Sequence, residues 1–367
     1  MRQLKLIILV ILFVGFIFLI NRNSVFAQIP QEEILEGKVV SIKEEKEIEV
    51  MGKKQLYQKL GLLVTKGSLK DKIITIESGD LPLANIQKYL VGDKVSVVYS
   101  KSNKGNNVFY IKDYIRHGPL LLLFIIFVIL VLAIAKLRGL TSLLGMAFSF
   151  MMIFFSILPN ILNGSNPVIA TVLASLFIVP VTFVLSHGFN KKTLVAIIST
   201  FIALVITGVL SVVFVELTKL TGFSSEEAGF LQVFKQGSIN MRGILLAGII
   251  IGALGVLDDI TISQSAVVFQ LKETNRKLTK KELYQKSMVV GQDHISSMVN
   301  TLVLVYAGAA LPLFLLFVHN PHPFSEIINY EMIAEEIVRT LVGSIGLILA
   351  VPITTIIASI TASNKSL

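Results

Sequence analysis

Two rhythms of hydrophobic and polar positions divide the chain. Between residues 29 and 115 the apolar positions come in short runs: Ile34–Ile42, Leu56–Thr65, Lys72–Glu77, Lys94–Tyr99 and Val108–Asp113. These runs are rich in β-branched and aromatic residues, and Gly79-Asp80 and Gly92-Asp93 punctuate them as turns, so they predict five short strands. Five strands in a segment this small fit a barrel of the OB kind, although periodicity alone does not separate a barrel from a sandwich. From residue 117 onward the apolar runs lengthen to Pro119–Ala135, Leu140–Leu158, Pro167–His187, Thr193–Val215, Met241–Ser265, Ile295–Val318 and Val338–Ser359. A hydrocarbon core needs about 20 apolar residues in a helix, and each run approaches that length. No formally charged residue occurs from Gly139 to Asn190, so the second and third runs must be joined by the short turn Pro159–Asn166.

The first residues have a third pattern. Arg2 and Lys5 precede an uncharged apolar run from Leu6 to Ile20, followed by Val25-Phe26-Ala27 before Gln28. This is the shape of a secretory signal or of an uncleaved signal anchor, and both place the next segment outside the cytoplasm. Three regions result: a signal peptide or anchor at 1–27, an extracytoplasmic β-rich domain at 28–116, and a polytopic helical membrane domain at 117–367.

Composition agrees with this division. Of the 367 residues 53% are hydrophobic and only 16% are charged, against roughly 25% charged in an ordinary soluble domain. The charge is concentrated: residues 28–116 carry 15 Lys/Arg and 12 Asp/Glu, as many as the far longer remainder from 117. The net charge of +9 would suit nucleic acid only if it formed a clustered basic face, and none is present. Membrane topology accounts for it better. With the β-rich domain outside, the inner loops carry Lys136, Arg138, Lys191, Lys192, Lys272, Arg276, Lys277, Lys280, Lys281, Lys286 and Lys365. The outer loops after the first span carry only Lys219, Lys235 and Arg242, with Arg339 just inside the last span. That bias follows the positive-inside rule and places the C-terminus in the cytoplasm of a plasma (inner) membrane protein. There is no cysteine, which removes disulfides, thiol chemistry and cysteine-based zinc sites.

Charge near a membrane core is costly unless it faces a polar interior, so acidic positions in the spans mark candidate chemistry. Three stand out: Asp258 and Asp259 in the fifth span and Asp293 at the start of the sixth. Gly248, Gly252 and Gly255 recur at helical spacing, forming a small-residue face for close packing against another helix. Continued, that face reaches Asp259 and Ser263, while Asp258 begins a neighbouring stripe through Thr261 and Ser265. In the sixth span Asp293, Ser297 and Asn300 share one face, with His294 and Thr301 on the next. Carboxylates held beside low-dielectric surroundings tend to bind protons or cations. The sharp reading is an acidic polar site between the fifth and sixth spans, with Asp258, Asp259 and Asp293 as its ionic core and Gln264, His294 and Asn300 as polar partners. Asp259, which continues the glycine face, is then the most sensitive position. The bland reading is that these acids cap helices or pair with loop lysines.

Enzyme signatures are missing. Asp258-Asp259 lacks the second half of a DDxxD diphosphate motif, and the chain has no P-loop, nucleophile elbow or HExxH. No cofactor or metal site is read; His319 and His322 in an outer loop are ordinary loop residues, and His187 is an interfacial one.

One constellation is specific in order and spacing. It runs Gly252-Ala-Leu-Gly255-Val-Leu-Asp258-Asp259, then Gln264, Leu283-Tyr284 and Gly291-x-Asp293-His294, ending in Asn300-Thr301-Leu-Val-Leu-Val-Tyr306-Ala-Gly-Ala-Ala-Leu-Pro312. This resembles the YibE/F-like multi-pass membrane proteins over essentially the whole chain. It departs from that pattern at Gln292, where a basic residue is usual, and at Gln270, where an acid is usual. The resemblance implies a multi-pass membrane protein of permease-like character and carries no substrate with it. The expected architecture is a membrane all-α helical bundle of about seven spanning helices behind a small N-terminal OB-like domain. The favoured function is a transporter or permease component that meets the lipid bilayer and a coupling ion or proton. One alternative is a non-transporting scaffold or sensor whose outer domain docks a partner protein; another is a membrane enzyme acting on a lipid-linked substrate.

Overall fold

The computed structural model describes residues 33–80, 87–101, 107–234, 239–318 and 323–363. The expected signal or anchor segment and the His319 and His322 loop positions lie outside these residues. The chain divides between Leu130 and Val131 into two compact units.

The first unit is built on five strands, β1 (Glu33–Val50), β2 (Lys53–Lys66), β3 (Ile73–Ser78), β4 (Lys94–Lys101) and β5 (Asn107–Tyr114). Each of the five runs read from the sequence lies in one of them, except that Lys72 precedes β3. They form one antiparallel sheet in the order β3-β2-β1-β4-β5. Register shifts interrupt β1 near Gly37, Val39 and Ile42; irregularities of this kind bend a strand and raise its twist. The sheet therefore curls into a half-barrel over Leu35, Val39, Leu60, Leu62, Ile76, Val95 and Val97. No hydrogen-bonded ladder joins β3 to β5 among the described residues. The two turn glycines are needed where they stand: Gly79 has φ +88° and Gly92 has φ +106°, a region that side chains with a β-carbon avoid. Buried Gln58 ties down the segment before β4, donating to the Tyr89 carbonyl at 3.0 Å and accepting from the Tyr89 amide at 2.8 Å.

The remainder is helical. The first helix, α1 (His117–Met152), continues through a π-helical turn at Ile153–Ile157 into α2 (Leu158–Leu162). It is broken at Lys136, whose backbone is at φ 52° and ψ −130°. The break falls between the first two apolar runs read from the sequence and turns the chain so sharply that a β-carbon on Gly139 would lie 2.6 Å from the Val131 carbonyl oxygen. The succeeding helices are α3 (Pro167–His187), α4 (Lys191–Leu217), α5 (Glu226–Phe234), α6 (Met241–Thr274), α7 (Lys280–Ala309), α8 (Leu311–Val318), α9 (Phe324–Ile327) and α10 (Glu331–Ser363). Local sequence fixes several starts. Asn166, Asn190 and Asn240 accept backbone N–H groups at the heads of α3, α4 and α6, and Thr279 and Glu282 form a capping box on α7.

Among the described residues five helical stretches are long and apolar enough to cross a membrane: His117–Leu162, Pro167–His187, Lys191–Leu217, Met241–Thr274 and Glu331–Ser363. The first of these contains two of the seven runs read from the sequence, on either side of Lys136. The sixth run, 295–318, is helical but spread over α7 and α8, which meet at Ala310.

The bundle core is made by α4, α6, α7 and α10. It buries apolar side chains such as Leu257, Leu347 and Val351 beside many hydroxyls, including Ser199, Thr207, Ser211 and Thr355. Ser199, Thr207, Ser211 and Thr355 each donate to the carbonyl one turn back, as Ser211 does to Thr207 at 2.7 Å. Such self-satisfaction lets small polar residues sit inside without an unpaired group. Between helices, the Thr200 and Thr261 hydroxyls meet at 2.7 Å.

Candidate functional site

Asp258 and Asp259 lie midway along α6, where its buried face gives way to an open one. Leu257, Ile260, Thr261, Gln264 and Ser265 are buried, whereas Gly248, Gly252, Gly255, Asp259 and Ser263 form one exposed stripe. The stripe read from the sequence is real, but it does not pack another helix closely. A β-carbon on Gly248 or Gly255 would meet nothing within 4 Å, and one on Gly252 only the Tyr306 hydroxyl at 3.4 Å. Close approach occurs elsewhere. A β-carbon on Gly291 would lie 2.6 Å from Val351 Cγ1, and one on Gly346 would overlap Thr207. Within this chain α6 turns its large apolar side chains, not the glycines of this stripe, toward α4 and α10.

Two members of the stripe, Gly255 and Asp259, instead line a cavity of about 880 Å³. Gly255, Asp258, Asp259 and Ile262 come from α6; Thr182, Phe183, Ser186 and His187 come from the end of α3. The third wall is the stretch of α1 from Val131 onward, with Arg138, Ser142, Ser149 and Phe150, continued by Ile153. Arg138, His187 and Asp259 are exposed, while Asp258 is half-buried. The Oδ1 atom of Asp258 is shut off from solvent and has no hydrogen-bond partner among the described residues. His187 lies within electrostatic range of Asp259, Arg138 and Lys192. None of the ion pairs found between described residues includes Asp258 or Asp259.

The acidic site expected between the fifth and sixth spans is thus divided. Asp293, His294 and Asn300 do not line the cavity that holds Asp258 and Asp259. Asp293 and Asn300 are exposed on α7, and His294 is half-buried with its Nδ1 unpartnered. Gln264 faces the other way. Fully buried, it donates through Nε2 to the Ser287 carbonyl at 3.0 Å and to the Thr355 hydroxyl at 2.8 Å, joining α6, α7 and α10. The separation is geometric: Gln264 and Asp258 lie on different faces of one helix, and only the Asp258 face meets α1 and α3.

Sequence reading missed Arg138, Thr182, Ser186 and His187 as residues that line one cavity with the acids. A signal was available in the expected topology, which would put Arg138, His187 and the half of α6 that follows Asp258 on one side of a membrane. It also missed Glu335. The helix α10 begins at Glu331, well ahead of the apolar run from Val338, so Glu335 is carried inside at 7% exposure. There it receives the Ser224 hydroxyl and pairs with Arg339 at 2.5 Å. Nearby Glu331 accepts the Thr221 and Gly222 amides at 2.6 and 2.9 Å. Among the described residues no group of three or more His, Cys, Asp or Glu side chains could hold a metal ion.

Long apolar helices define the class: they point to an integral membrane protein. The chain belongs to the YibE/F-like protein family, whose model matches residues 123–364. No curated protein and no solved structure matches the chain.

Proposed function

We propose that this protein is a plasma-membrane transporter or permease component in which Asp258, assisted by Asp259, binds a proton or cation inside the cavity between α1, α3 and α6. The observation that carries the reading is the Asp258 carboxylate oxygen, withdrawn from water inside a cavity and left without a donor. Taking a carboxylate out of water is costly unless a proton, a cation or a hydrogen-bond donor meets it. In a membrane bundle such a group marks an ion or substrate path. Arg138, Asp259 and His187, exposed on the same cavity, supply charge where an ion would enter.

In the arrangement that goes with this reading, the polypeptide crosses the membrane seven times, with the break at Lys136 as a cytoplasmic turn between two spans. Residues 28–116 lie outside as a partner-docking or substrate-facing OB-like domain, and the C-terminus lies in the cytoplasm. The basic residues on the inner loops support this orientation.

The test is ion flux into liposomes reconstituted with purified protein, driven in turn by a proton, sodium or potassium gradient. A flux above that of protein-free liposomes, abolished by Asp258→Asn at equal protein incorporation, is the expected result. Absence of any protein-dependent flux, or an unchanged flux in Asp258→Asn, defeats it.

A further inference from the structure

The cavity is larger and more apolar than an inorganic ion requires. Sites for small organic molecules usually run from roughly 300 to 1,000 Å³, mostly apolar with a few placed polar groups, and this one holds about 880 Å³. Much of its wall is apolar or aromatic, with Val131, Met146, Phe150, Ile153, Phe183 and Ile262 facing the space. Against that surface stands one half-buried charge, Asp258, with an unpartnered oxygen. The other three charged or titratable side chains on the wall, Asp259, Arg138 and His187, are exposed. Among the described residues the two carboxylates and one imidazole of the cavity form no metal-holding group.

We propose that the cavity takes an amphipathic organic cation, its charge against Asp258 and its apolar body along Phe150, Ile153 and Phe183. Both halves of such a molecule are met. The carboxylate loses its unpaired state, and the aromatic rings supply area and favour a cation over a neutral body of equal size. This inference rests on the transporter reading for its biological meaning, but the site itself can be tested without transport.

The experiment measures binding of three probes to the full-length protein in lipid nanodiscs, with empty nanodiscs subtracted. Tetraphenylphosphonium carries positive charge on a large aromatic body, tetraphenylborate has nearly the same shape with negative charge, and tetramethylammonium has the charge without the body. Saturable binding of tetraphenylphosphonium alone is expected, weakened about tenfold in Asp258→Asn, which is what loss of one modest charge contact produces. Phe150→Ala, at an exposed position, weakens it as well and serves if Asp258→Asn is poorly folded. Equal saturable binding of tetraphenylborate, saturable binding of tetramethylammonium, or no saturable binding of tetraphenylphosphonium overturns the proposal. The two readings fail separately. Asp258-dependent ion flux without tetraphenylphosphonium binding leaves transport standing and removes this ligand class. Binding without flux does the reverse.

Discussion

The Gln264 side-chain amide donates to the Thr355 hydroxyl at 2.8 Å while the same nitrogen donates to the Ser287 carbonyl at 3.0 Å. One fully buried residue thereby joins three helices of the bundle. Its Nε2 bonds link helices, and its place away from the cavity separates it from the two acids. Gln264→Ala removes packing volume and both hydrogen bonds, and is expected to destabilise the protein by about 2–3 kcal/mol. Gln264→Leu restores most of the volume and should cost only about 1 kcal/mol, the usual scale of hydrogen bonding between membrane helices. Thermal unfolding in detergent measures both. A Gln264→Leu protein that folds normally but has lost ion flux would move Gln264 back into the site.

Glycine substitutions separate real helix contacts from apparent ones. Gly291→Ala would press its new methyl against Val351 Cγ1 at 2.6 Å, and overpacking of this kind costs about 1–3 kcal/mol. Gly248→Ala meets open space and should be neutral or stabilising by up to about 1 kcal/mol, through the helix preference of alanine. The comparison needs only the unfolding midpoints of the two variants. A marked loss for Gly248→Ala would show that the stripe is covered by something in the assembled protein.

Of the two adjacent acids, Asp258 is expected to matter more. It is the half-buried one, with an unpartnered oxygen in the cavity, whereas Asp259 is exposed. Asp258→Asn should remove ion flux, and Asp259→Asn should reduce it severalfold, with both proteins incorporating at normal levels. The ranking reverses the one that follows from the glycine face alone. Greater loss in Asp259→Asn would restore that ranking.

Orientation can be read by chemical labelling, because the chain has no cysteine. Single cysteines at Asn163 and Asn320 should react with a membrane-impermeant thiol reagent on intact cells, and one at Lys277 should not. Labelling of Lys277→Cys from outside, with Asn163→Cys protected, would invert the topology.

The β-rich unit should lose stability in acid. Hydrogen bonds from the Ser68 hydroxyl and amide hold the Glu33 carboxyl below the usual range. The neighbouring Lys88 and Gln58 side chains do the same for Glu45, Lys59 for Glu77, and Arg116 for Asp113. A carboxylate with a depressed folded value stabilises the fold above its unfolded pKa, and the contribution disappears as pH falls through the folded value. A fragment covering residues 29–115 is therefore expected to keep β-type circular dichroism near neutral pH and to weaken below about pH 4, near and under the ordinary carboxylate values. Ser68→Ala should raise the acid midpoint. An unchanged midpoint would mean that Glu33 contributes nothing in solution.

The sequence by itself determined the strands, the apolar helices and the position of the first break. Those features follow from local rules: alternation and turn glycines for the strands, asparagine and threonine caps for helix starts, and charged residues around Lys136 between apolar runs. The pairing of helix faces was decided only by the tertiary structure. A helix that is apolar all round gives no sequence signal for which side meets which neighbour. So the position of Asp258 opposite Arg138 and His187, and of Gln264 toward Ser287 and Thr355, could not be read from spacing within α6. The same holds for the glycines. Their spacing marks a smooth face, but whether that face meets a helix or a cavity depends on how α1, α3 and α7 pack around it. In this protein Gly255 is part of the cavity wall, while Gly291 and Gly346 are glycines that helix packing requires.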